Sequence, residues 1–389
     1  MKNKLTHIFK ELDNVISTTE VPVHESAAGG KTGLALYNFY AGKVLEEESK
    51  LEKGGALLES IFDNLSTGKT TLIGHSLASG ISGLCIALSI LVEDGLIDLD
   101  LEANLGSFDN YLIQKSMAEL AERKVDFLHQ SLGVVYYYTL RQPNEENYKI
   151  LSSYVDQIIG AAVRDDKGAR FLNSSGPRAG VSYDLSIAHG LSGILLILFR
   201  IYDLGIKREE IKSFILDSIK YILKFYIPNP NPKKDQSLFA LGADLDNDTP
   251  QYSNMLAWCY GDLNQLILLI KASQTFETNA WDDIIENVIQ RVCSRSLSDS
   301  LVHDSHFCHG ASGVFFLFDY LNKMLPRAEF QEAKNRWRQT LIDSLDTDLK
   351  KNTFKKKETE LLEGLVGVGL VLLSEISNQP LAWPKILLM

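Results

Sequence analysis

Two kinds of segment alternate along the chain. One kind, such as GLCIALSIL, GILLILFRI, GVFFLFDYL and GVGLVLLSEI, is apolar on nearly every face. The other, such as EEIKSFILDSIKYILKFY and WDDIIENVIQRVCSRSL, is apolar only at helical spacing. Apolar residues recurring every three to four positions predict an amphipathic helix, and a helix apolar all round has to be buried. Each wholly apolar segment opens at one small motif: Gly30-x-x-Gly33, Gly80-x-x-Gly83, Gln130-x-x-Gly133, Gly190-x-x-Gly193, Gly261-x-x-Asn264, Gly310-x-x-Gly313 and Gly364-x-x-Gly367. The copies start 50, 50, 60, 71, 49 and 54 residues apart. A period of this size marks stacked supersecondary units.

Seven buried helices, each with an amphipathic partner, predict an all-α fold: a double-layered α/α barrel, or toroid, of seven helix-pair repeats with the apolar set inside. Strand signals are scarce. Glycine suits the entry to an inner helix, where backbone must approach backbone. Length alone suggests two or three domains. The even spread of turns near 30, 80, 130, 190, 261, 310 and 364 predicts one domain over 1–389 instead.

Composition narrows the class. The chain has 389 residues, 45% of them hydrophobic, a net charge of −11 and a pI near 5.3. That balance speaks against a nucleic-acid surface. No run of about 18 apolar residues exists, so no membrane span is expected. The N-terminus shows helical spacing at Leu5, Ile8, Phe9, Leu12 and Val15, without the unbroken apolar core of a signal peptide. Four cysteines, Cys85, Cys259, Cys293 and Cys308, are too few for a disulfide scaffold of this size, which points to a reducing, cytoplasmic setting. Two irregular stretches, RDDKGARFLNSSGPRAGVSYD and YIPNPNPKKDQSLFALGADLDNDTPQYSN, lead directly into the fourth and fifth turns. Loops of that length inside a compact fold are often functional. KKNTFKKKE reads as a solvated connector, and Asp282-Asp283-x-x-Glu286 as a solvated helix face.

The repeat also serves as a ruler. Two residues before each first position stand Ala28, Ala78, Leu128, Ala188, Cys259, Cys308 and Leu362. One before stand Gly29, Ser79, His129, His189, Tyr260, His309 and Glu363. Both cysteines at the first offset belong to adjacent repeats, and three of the eight histidines share the second. The apolar repeats therefore turn polar at one rim. Cys259, Cys308 and His309 make a Cys₂His set, and three protein ligands with an open fourth position is the arrangement of catalytic zinc. A buried cysteine is commonly no more than a small hydrophobe; the shared register and the adjoining histidine outweigh that reading here. His189 suits general acid–base work near neutral pH, or a hydrogen bond to a helix end. Asp126 suits either the same mouth or a helix N-cap. Tyr260 suits either donation to a developing oxyanion or packing. His129 is in register, with nothing nearby in sequence to pair with it.

Ser186-Ile-Ala-His189-Gly190-Leu-Ser-Gly193, Trp258-Cys259-Tyr260-Gly261-Asp262 and Cys308-His309-Gly310 together resemble the signature of the lanthionine synthetase C-like family, the cyclases of class I lanthipeptide biosynthesis and their eukaryotic relatives. The resemblance spans nearly the whole chain. It implies one zinc ion on Cys259, Cys308 and His309, His189 as the acid/base residue, Asp126 as the active-site aspartate and Tyr260 lining the site. It also implies a dehydrated precursor peptide as substrate, a dehydratase and exporter complex as partners, and formation of (methyl)lanthionine thioether rings. A peptide cysteine would add as thiolate to the β-carbon of dehydroalanine or dehydrobutyrine, and the α-carbon would take a proton. The chain departs from the pattern at Met255, where many bacterial members carry arginine, and at Gln130 and Asn264, which replace glycines. Arg170 or Arg178 is a candidate substitute for the arginine. The even early spacing leaves no room for the extra module of some bacterial enzymes. Three rivals stand: addition of a small thiol such as glutathione to dehydrated residues, a zinc-binding peptide scaffold without catalysis, and a zinc-dependent prenyltransferase. The last commonly uses a mixed Asp/Cys/His set, against which the paired cysteine register argues.

Overall fold

The structure is a computed structural model that describes residues 2–173, 181–231, 237–377 and 379–389. Among these the chain forms fourteen α-helices in strict alternation. The even-numbered set begins at the repeat turns: α2 (Lys31–Leu45), α4 (Ile81–Glu93), α6 (Leu132–Leu140), α8 (Leu191–Asp203), α10 (Asp262–Phe276), α12 (Ala311–Met324) and α14 (Leu365–Ile376). These helices are buried on all faces over most of their length, as in α4 from Ser82 to Leu91 and α8 from Leu191 to Phe199. The odd-numbered set is α1 (Lys2–Thr18), α3 (Glu48–Ser66), α5 (Leu101–Ala121), α7 (Glu145–Ala161), α9 (Arg208–Leu223), α11 (Asp282–Ser294) and α13 (Ala328–Lys351). These bury a stripe only, such as Ile285, Val288, Ile289 and Val292 on α11. Each fully buried Leu, Ile or Phe contributes on the order of 1.5–3 kcal/mol, so the two patterns settle which helix of each pair lies inward. No helix among the described residues is long and apolar enough to cross a membrane.

Contacts group the chain into two compact units. The first comprises 1–113, 304–316 and 337–389, and the second 114–303 and 317–336. In the first unit α1 buries Leu5, Ile8, Phe9, Leu12 and Ile16. Val15, expected on that stripe, is only half-buried, because the helical row from Leu12 continues through Ile16. Lys50 of α3 is buried and ties α1 to its neighbours: its Nζ meets Asp13 and lies 3.0 Å from Ser17 Oγ, while Tyr37 of α2 donates to Asp13 at 2.7 Å. The repeat turns are joined through their main chains at the offset that the ruler singles out. Ala28 donates to Ala78 O (3.1 Å), Leu361 to Ala28 O (2.7 Å) and Cys308 to Leu362 O (2.9 Å).

The second unit holds the two irregular stretches, which are less irregular than their composition predicts. Val163–Asp165 (β1) and Gly168–Arg170 (β2) form a hairpin. Tyr183–Asp184 (β3), Gly242–Ala243 (β4) and Pro250–Gln251 (β5) form a three-stranded antiparallel sheet in the order β3-β4-β5. The approach to the fourth turn is thus paired with the approach to the fifth. Asp248 anchors the second approach: its side chain is 3% exposed and accepts from Lys167 and Lys224 at 2.6 Å each and from Tyr221 at 3.2 Å. Burial alone would raise its pKa, but the two lysines bring it down from the ordinary 3.8 to about 2. A carboxylate depressed in the folded state stabilises above its unfolded value and loses that contribution as pH falls from about 4 toward 2. Asp248→Asn is therefore expected to cost about 1–2 kcal/mol at pH 6, allowing for the solvent screening of two partly exposed lysines. The gap in calorimetric stability between variant and wild type should narrow at pH 3; a constant gap would contradict this assignment.

Candidate functional site

The turns that open α8 and α10 carry three of the six candidate residues, His189, Cys259 and Tyr260, and their glycines are required by space. A Cβ on Gly190 would lie 2.4 Å from the carbonyl oxygen of Asp184, and one on Gly261 equally close to that of Met255. Gly261 also has φ of +113°, which side chains rarely adopt. Asn264 does by hydrogen bonding what glycine does by close approach. Its Nδ2 donates to Trp258 O (3.0 Å) and Ala257 O (3.3 Å), and its Oδ1 accepts from Ile187 N (3.3 Å). Ile187 N also lies 3.3 Å from Cys259 O. The His189 turn and the Cys259 turn are thereby held side by side within the second unit.

Asp126, fully buried, is not the N-cap of the helix that follows, since α6 begins at Leu132 after Ser131. Its Oδ1 accepts from His129 N at 2.7 Å, closing the third turn as Ser186 Oγ closes the fourth by accepting from His189 N at 3.1 Å. Both residues lie four before the first position of their repeats. A serine has one oxygen for this purpose and an aspartate two. Asp126 Oδ2 meets His189 Nδ1 at 2.7 Å. Burial pulls the His189 pKa down, yet the hydrogen bond and charge of Asp126, with Asp184 beyond it, outweigh burial and leave it raised. The His129 ring stacks on His189 with centroids 5.4 Å apart and planes at 13°. Burial and the neighbouring His189 hold the His129 pKa low despite Asp126. Two histidines of equal register thus have opposite electrostatic character.

The half-buried Tyr260 donates its hydroxyl hydrogen to Asp184 Oδ2 at 2.8 Å. Asp184 was not singled out in the sequence. Nor was the buried pair behind the Cys259 turn, where Arg295 Nη2 meets Asp262 Oδ2 at 2.6 Å and Asp262 also accepts from Leu238 N and Phe239 N. Burial pushes the Asp262 pKa up against the opposing charge of Arg295. The pair locks the start of α10 to the loop before it. The one available signal was an acidic residue in a first helical turn. Met255 is half-buried, and Arg170 does not take the missing arginine's part: its guanidinium bonds Asp165 twice at 2.9 Å and lies against the rings of Tyr183 and Tyr221. Arg178 lies outside the described residues.

Cys308 and His309 adjoin in the sixth turn, and Cys259 stands at the offset of Cys308 in the fifth. None of the four cysteines is in a disulfide. Two sulfurs and an imidazole are donors that zinc prefers, and the set fits. The His306 ring meets His309 edge-on at 4.1 Å, and Glu363 is held nearby by Lys357 at 2.6 Å.

A family model described as lanthionine synthetase C-like protein matches residues 22–388. Among solved structures the chain is similar to nisin cyclase, with a TM-score of 0.73 and 19% identity, over 100% of this chain and 97% of that one. At that identity the likeness shows the fold, the all-α helix-pair barrel class that the glycine ruler predicts.

Proposed function

The chain belongs to the lanthionine synthetase C-like family, and on that premise we propose that residues 1–389 act as one zinc-dependent lanthipeptide cyclase domain. The observation that carries the reading is the Asp126–His189 pair beside the turn of Cys259. Zinc bound by Cys259, Cys308 and His309 would hold the peptide's thiol in its deprotonated form, since an ordinary thiol of pKa about 8.5 is mostly unreactive at pH 7. The reaction joins that sulfur to the β-carbon of a dehydrated residue. The carbon–carbon double bond is consumed, and the α-carbon takes a proton in place of the one the thiol lost.

His189 is the donor. Asp126 occupies Nδ1, which leaves Nε2 to carry the transferable proton, and the carboxylate favours the cationic ring. Tyr260 borders the same turn, and its hydroxyl proton is committed to Asp184. A dehydrated precursor peptide is the substrate, and a dehydratase with an exporter supplies and removes it.

The acid role has a signed consequence for pH. Asp126 raises the His189 pKa, so the protonated form persists to higher pH than for an ordinary histidine. Activity is lost as pH rises through that raised value. In Asp126→Asn the acceptor charge is gone, and the alkaline limb of the kcat profile should move to lower pH as kcat falls. An unmoved limb would remove His189 as the acid. Glutathione separates the rival enzymatic reading: with a dehydrated peptide lacking cysteine, the cyclase reading expects no glutathione adduct by mass spectrometry.

A further inference from the structure

We propose that Asp184 is a positioning residue that fixes the Tyr260 hydroxyl beside the His189 turn. The inference rests on the cyclase reading above and adds to it a residue outside the three motifs that carry the resemblance. Asp184 is 4% exposed and ends β3, where its main chain is paired with Gly242 of β4. The next residue is held as well, because Leu185 N donates to Leu241 O at 3.0 Å. The carboxylate is therefore carried by a fixed piece of sheet. Its Oδ1 accepts from Ser186 N at 2.7 Å, and its Oδ2 takes the Tyr260 hydroxyl at 2.8 Å. A Cβ on Gly190 would lie 2.4 Å from Oδ1, so glycine there keeps the carboxylate's space open.

The ruler separates a local role from a bridging one. Asp184 and Asp304 both stand six residues before a repeat glycine. Asp304 Oδ1 accepts from the amide two residues on, His306 N, at 3.1 Å, as Asp184 accepts from Ser186. Closing the turn needs one oxygen, which a serine can also supply. The second oxygen of Asp184 reaches 76 residues along the chain to Tyr260. A hydrogen bond to a buried carboxylate is of the stronger kind. It holds the phenol in one rotamer, with its proton committed to Asp184.

Two variants test this. Asp184→Asn keeps the size and loses the charge, and Asp184→Ser keeps an acceptor for Ser186 N but cannot reach Tyr260. Each should lower kcat for ring formation by about 10- to 100-fold, the range expected for loss of one positioning contact, with KM for the peptide changed less than about threefold. Tyr260→Phe should show the same loss, and neither Asp184 variant should add to it in the Tyr260→Phe background. An equal further loss in that background would make Asp184 a merely structural residue and overturn the proposal. A second readout does not depend on turnover. In tyrosine-labelled protein, the Tyr260 hydroxyl proton should give a slowly exchanging NMR signal that disappears in both Asp184 variants. A signal that persists overturns the proposal even if the wild type forms no rings, and wild-type failure to form rings would by itself count against the cyclase reading.

Discussion

Cys308→Ala is expected to reduce zinc from about one ion per chain to a small fraction of that. Removing one thiolate from a three-ligand set leaves a sulfur and a nitrogen, too few to hold zinc against dilution or a mild chelator. Cyclisation should fall to background with it. Metal that binds the folded state also adds stability by mass action. A chelator should therefore lower the melting temperature of the wild type and leave that of Cys308→Ala nearly unchanged. Elemental analysis after gel filtration, with melting curves with and without chelator, reads both effects. Unchanged zinc in the variant would remove the Cys259–Cys308–His309 assignment.

The second large effect is expected at His189. His189→Ala should keep its zinc and its fold, and lose about 10²–10⁴ in kcat, the contribution of a positioned acid. The variant separates thiol activation from proton delivery, because the metal ligands are untouched. Steady-state rates on a dehydrated peptide, with zinc content measured on the same sample, give the comparison. A loss below about tenfold would mean that another group delivers the proton. Of its neighbours, His129 is the less suited, since burial and His189 hold its pKa low.

Much of this was legible in the chain because it depends on local pattern. Whether a helix is apolar on one face or on all faces decides its place, and the glycine turns recur where close main-chain contact forbids a side chain. The offset before each glycine is also a place in space, since the turns are joined through their main chains at that offset. Asp126 could be seen as a cap or as a site residue, but its actual bonds, one to the His129 amide and one to a partner 63 residues away, could not. The links Asp184–Tyr260 and Asp262–Arg295 were out of reach for the same reason. They join residues whose neighbours in sequence give no sign of the pairing. One departure from the repeat, Asn264, is explained by its three-dimensional contacts alone. Asn264 replaces a glycine's close approach by three hydrogen bonds, and Arg170, apt by sequence, is committed to Asp165 and two tyrosine rings.

Ring formation leaves the mass of the peptide unchanged and removes a thiol, which makes the central claim directly measurable. The zinc-loaded protein is incubated with a dehydrated, cysteine-containing peptide, and the remaining thiols are alkylated and counted by mass spectrometry. The cyclase reading predicts that alkylated thiols decline with time while the unalkylated mass stays constant, and that His189→Ala slows the decline. A thiol count that stays at its starting value with zinc bound would contradict it and leave a zinc-binding scaffold in its place.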